Sequence, residues 1–107
     1  VIRYVALLAA ASPIAAQAEP INLKCELNDR GTIVPMEVAL DEQAASASYY
    51  WPKTDTSAKD PANFLPAKVL FSSFTIDRTT LAITREPILD IPAISGQCQV
   101  LKLERAF

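Results

Sequence analysis

The sequence predicts an all-β domain: a small antiparallel sandwich or partly open barrel of six to seven short strands, closed by one disulfide after an N-terminal signal peptide. Three observations predict it. Apolar and polar residues alternate with period two in one run after another, the mark of strands buried on one face. No fifteen-residue stretch after Pro20 shows the 3.6-residue period of an amphipathic helix. The only two cysteines, Cys25 and Cys98, stand in the first and last of the alternating runs.

The elements follow in order. Residues 1–18 read as a leader, with Arg3, the short apolar run Tyr4–Ala11, a helix break at Ser12-Pro13 and the small-x-small site Ala16-Gln17-Ala18 before Glu19. The apolar run is shorter than the ~20 residues needed to span a bilayer, so cleavage would release residues 19–107 as one domain without stable membrane insertion. Ile21, Leu23, Cys25 and Leu27 share one face of a first strand, and Asn28-Asp29-Arg30-Gly31 has turn chemistry. Val34, Met36, Val38 and Leu40 alternate next, and Pro35 restricts that strand to an edge or starts it. After a turn at Asp41-Glu42-Gln43, Ala45, Ala47, Tyr49 and Trp51 alternate with Ser46, Ser48 and Tyr50.

From Pro52 to Pro66 the alternation fails among prolines and charges, which predicts a long surface loop. Ala67, Val69 and Phe71, then Phe74 and Ile76, then Leu81 and Ile83 resume it. The polar patch Asp77-Arg78-Thr79-Thr80 between the last two pairs reads as a hairpin turn, its Asp and Thr side chains bonding to nearby backbone and Arg78 lying along the outside. Glu86 to Gly96 reads as irregular. Gln97 to Glu104 reads as the last strand, with a change of phase between Val100 and Leu101 that suggests a bulge.

An even, isolated cysteine pair in an exported chain is most simply a disulfide. Bonded, Cys25 and Cys98 would have Cα atoms about 4.4–6.8 Å apart. Closing so long a loop is worth about 4–5 kcal/mol in the chain-entropy picture.

Several chemistries lack their residues. With no histidine in the chain, Ser-His and Cys-His nucleophile pairs and histidine-containing zinc sites are excluded. The ten Lys and Arg are interspersed with twelve Asp and Glu, which gives no basic face for nucleic acid. A carboxylate-only hydrolase needs a substrate groove that so short a chain can scarcely build. The expectation is therefore a non-enzyme with no metal or cofactor. Loops on a rigid β scaffold commonly bind, and the candidate contact is Tyr50 and Trp51 with Lys53, aromatics beside a cation at the head of the proline-rich stretch.

Leu23-Lys24-Cys25, Ile76-Asp77-Arg78-Thr79-Thr80, Gly96-Gln97-Cys98 and the terminal Phe107 resemble the motifs of a loose set of small, uncharacterised secreted β proteins of proteobacteria. That set has Gly where Thr80 stands. The resemblance implies a periplasmic or secreted β domain and assigns no activity. The expected function is an exported envelope protein, a binding or accessory module for a protein or small ligand. The alternatives are a periplasmic inhibitor of lysozyme or another hydrolase, though Ser46-Ala47-Ser48-Tyr49-Tyr50 lacks the glycine of a Ser-Gly-x-x-Tyr loop, and a structural subunit of an envelope complex.

Overall fold

The computed structural model describes residues 19–101; the expected leader and residues 102–107 lie outside them. Eight strands follow one another: β1 (Ile21–Asp29), β2 (Thr32–Asp41), β3 (Ser46–Trp51), β4 (Thr56–Phe64), β5 (Lys68–Phe71), β6 (Phe74–Asp77), β7 (Ala82–Arg85) and β8 (Ile94–Val100). Each pairs antiparallel with the next, and β8 pairs back onto β1, so the sheet closes into a barrel. The expectation of six to seven strands in a sandwich or partly open barrel is corrected to eight in a closed one.

The extra strand is β4, which runs through most of the stretch expected to be a loop. It pairs with β3 from Thr56 to Pro61 but with β5 only from Ala62 to Phe64. Its first half therefore has a neighbour on one side only, and no closed interior demands apolar alternation there. The Ala62 N–H donates to Ala45 O on the β3 side at 2.9 Å. In an antiparallel strand the adjacent Pro61 nitrogen then faces away from β3, towards the open edge, where its missing N–H leaves no gap in the ladder. Pro35 of β2 is tolerated similarly: β3 begins to pair only at Glu37. The expected irregular stretch Glu86–Gly96 is also shorter than its prolines imply, because β8 begins at Ile94; the expected change of phase between Val100 and Leu101 falls where the regular β8 register ends, at Val100.

Inside the barrel lie Leu23, Cys25, Leu27, Met36, Val38, Leu40, Ala47, Val69, Phe71, Phe74, Ile76, Ile83, Ile94 and Cys98. Lys24, Glu26, Glu37 and Lys59 are exposed on the outside. This apolar-in, polar-out arrangement is the reverse of a membrane barrel. No helix among the described residues is long and apolar enough to cross a membrane.

The β1–β2 turn is of the hairpin type that needs two left-handed residues. Arg30 and Gly31 supply them, with φ of 54° and 92°, and Asn28 Oδ1 accepts the Gly31 N–H at 2.8 Å.

The seam between β1 and β8 brings the two cysteine motifs face to face: Leu23 opposite Val100, Cys25 opposite Cys98, Leu27 opposite Gly96. Cys25 and Cys98 are disulfide-bonded, their Cα atoms 3.9 Å apart, closer than the expected range. The Cys98 N–H donates to Leu81 O at 2.9 Å, away from β1. The cysteines therefore form a cross-strand pair without mutual backbone hydrogen bonds, the kind in which Cα atoms approach most closely, to about 4.5 Å. The bond indicates an oxidising, non-cytoplasmic compartment.

Candidate binding surface

Neighbouring residues of a strand point to opposite faces, and this separates the three expected contact residues. Trp51 turns inward and packs with Tyr49 and Phe74 at centroid distances of 6.3 and 6.0 Å. Tyr49 extends that aromatic cluster to Phe71. Its hydroxyl donates to the Asp60 carboxylate, and burial, reinforced by that bond, pushes the phenol above its ordinary value of 10. Tyr50 is on the outside, its hydroxyl donating to Asp55 at 2.9 Å. Lys53 lies in the β3–β4 turn, where its Nζ donates to Ile33 O at 3.1 Å and ties the turn back to β2. Tyr50, Trp51 and Lys53 therefore occupy three different surroundings.

Tyr50 belongs instead to a wall built by four strands. The registers align Asn22, Ala39, Ser48 and Lys59 in one outward row, and Glu37, Tyr50 and Ser57 in the next. Small side chains at Ala39 and Ser48 leave a depression between the taller ones. The result is an open groove of about 700 Å³ on the outer face of β1–β4, with Leu101 on its border. Its lining offers hydroxyls and an amide, one acid and one base, and an aromatic ring. Among the described residues neither Ser48 nor Ser57 hydrogen-bonds to a base, and no cluster of three or more Cys, Asp or Glu could hold a metal ion. This arrangement suits recognition. It was hidden in the sequence because each row takes one residue from each strand.

The half-open edge of β4 is a second exposed feature. Alternation directs the main-chain groups of Ser57 and Lys59 outward there. A lysine and Pro61 on such an edge discourage strand addition.

The patch Asp77–Thr80 is a turn. Asp77 Oδ1 accepts the N–H groups of Thr79 and Thr80 at 2.8 and 2.9 Å, and the left-handed position falls to Leu81, with φ of 65°, not to Thr80. Those bonds, Thr80 first, hold the Asp77 carboxyl below its ordinary value of 3.8. A lowered folded pKa stabilises above the unfolded value, and that contribution is lost as pH falls from about 4 through the folded pKa. Melts of wild type and Asp77→Ala should therefore differ at neutral pH and converge in acid. Equal stability at neutral pH would contradict the turn role. Arg78 is exposed on the outside, as expected, and is tied down there. Its Nη1 donates to Leu65 O at 2.8 Å and its Nη2 approaches Glu42 Oε1 at 3.4 Å, across a barrel mouth whose apolar cavity measures about 190 Å³.

Fold and surface together define a class: a water-facing, disulfide-fastened antiparallel barrel with an external groove. Compared with family models, curated proteins and solved structures, the chain has no match.

Proposed function

We propose that this chain is a non-enzymatic exported envelope protein that binds an extended segment of another protein across the outer groove of β1–β4. The observation that carries the reading is the groove itself. Its volume lies in the range of binding sites, its floor is small-residue backbone that a partner chain can approach, and Tyr50 stands beside it as an aromatic anchor. The disulfide supports an address outside the cytoplasm, and the leader-like residues 1–18 support export. The intact mass of protein secreted by a bacterial host should correspond to residues 19–107; a mass retaining the first eighteen would contradict cleavage after Ala18.

Capture from envelope extract by the mature chain tests the function, with Ser48→Trp as the filled-groove control. Ser48→Trp should remove the specific partner, and Tyr50→Ala should weaken it about tenfold, or ~1.4 kcal/mol. Equal capture by wild type and Ser48→Trp would overturn the groove reading. The partner also sorts the neighbouring readings: a lysozyme or other hydrolase inhibited on capture makes the protein an inhibitor, and a stable envelope complex makes it a structural subunit. Turnover in an unbiased substrate panel would contradict the non-enzymatic reading.

A further inference from the structure

The barrel carries an apolar knob at one end and an apolar socket at the other. The knob is the loop between β7 and β8. Ile88 and Ile91 exchange two backbone hydrogen bonds of 3.0 and 2.8 Å around the pair Leu89-Asp90. Leu89 at the tip is 97% exposed and has φ of 52°, a left-handed geometry unusual for a bulky residue. Pro87 and Pro92 stiffen the loop on either side, and Arg85 Nη2 donates to Pro92 O at 3.1 Å. A leucine held out into water in a strained conformation is the kind of outlier from which function is inferred.

The socket is the barrel mouth spanned by Arg78. Ile21, Leu40, Phe64, Leu81 and Val100 are among its lining residues, and Glu19, Glu42 and Arg78 are its polar members. Its ~190 Å³ exceeds the ~150 Å³ that houses a benzene-sized group, room enough for one leucine side chain. Ile21 and Val100 remain 48% and 50% exposed there. The topology sets the two features at opposite ends: the knob joins the end of β7 to the start of β8, and the socket surrounds the start of β1 and the end of β8.

We propose that the knob of one copy seats in the socket of a second copy of this chain. Leu89 enters the mouth, Ile88 and Ile91 cover Ile21 and Val100, and Asp90 takes Arg78 from its long contact with Glu42. Among the described residues that line the mouth, Arg78 is the one cation, beside Glu19 and Glu42, and Asp90 next to Leu89 takes it as its partner across the contact. Because knob and socket are different surfaces, the contact is head-to-tail and does not close on itself; it builds short linear chains. So small a contact gives a weak, transient association.

Sedimentation of the mature chain from micromolar to millimolar concentration tests this. The average mass should rise continuously past the dimer. Leu89→Asp, which removes the knob, and Val100→Asp, which spoils the socket, should each weaken association at least tenfold. Mixed in equal amounts they should form a one-to-one dimer and nothing larger, because each retains the half that the other lacks. Near-ultraviolet circular dichroism checks both folds, with Leu89→Ser and Ile21→Asp as replacements for a variant that fails. A wild type that stays monomeric at millimolar concentration, association unaffected by both changes, or a mixture that stays monomeric overturns the proposal.

Discussion

Gly96→Ala is expected to destabilise the barrel by about 3 kcal/mol or more, because the new methyl has nowhere to go. Gly96 faces Leu27 of β1 on one side and Ile83 of β7 on the other. A Cβ there would overlap the Glu26 carbonyl oxygen and lie 2.8 Å from Leu27 Cα. Both obstacles are main chain, so relief requires β1 to move away from β8 along the seam that closes the barrel. Gly31→Ala is the control. Nothing lies within 4 Å of its Cβ position, and only its φ of 92° opposes a side chain, at a cost of about 1–2 kcal/mol. Denaturant melts of the two variants should rank Gly96→Ala well below Gly31→Ala. The reverse order would contradict the close approach of β1 and β8.

Loss of the Cys25–Cys98 bond is the second large effect. Reduction, or replacement of both cysteines by alanine, should cost about 2–5 kcal/mol. In a domain of this size that lowers the melting temperature by roughly 10–40 °C. The bond lies at the middle of the β1–β8 register, so it both restricts the unfolded chain and holds the last strand against the first. Because β1 contributes Asn22 to the groove, reduction should also weaken partner capture. A melting temperature unchanged by reductant would show that the seam holds without it.

Much of this architecture is legible in the sequence, for a physical reason. Where a strand is buried on one side, burial writes period two, as at Leu23, Cys25 and Leu27 or at Met36, Val38 and Leu40. The turn at Asp77–Thr80 is legible because Asp and Thr satisfy backbone donors locally. β4 is not, since its inward positions Ala58 and Asp60 face an interior open on one side, and Tyr49 meets Asp60 with a hydroxyl. Closure of the barrel depends on β1 finding β8 across nearly the whole domain, and only the cysteine pair announces it. The binding surface is the least legible part. Tyr50 and Trp51 are adjacent in the chain and opposed in space, whereas Tyr50 shares its groove with Glu37 and Ser57 through strand register alone.

The most direct test of binding across the outer face is an amide NMR titration of the mature protein with a peptide from the captured partner. Binding in the groove predicts that the largest shifts fall on Asn22, Ala39, Ser48, Tyr50 and Lys59 together, and that Ser48→Trp abolishes them. Shifts confined to the barrel mouth, to the β7–β8 loop or to the edge of β4, with the groove amides unmoved, would contradict it.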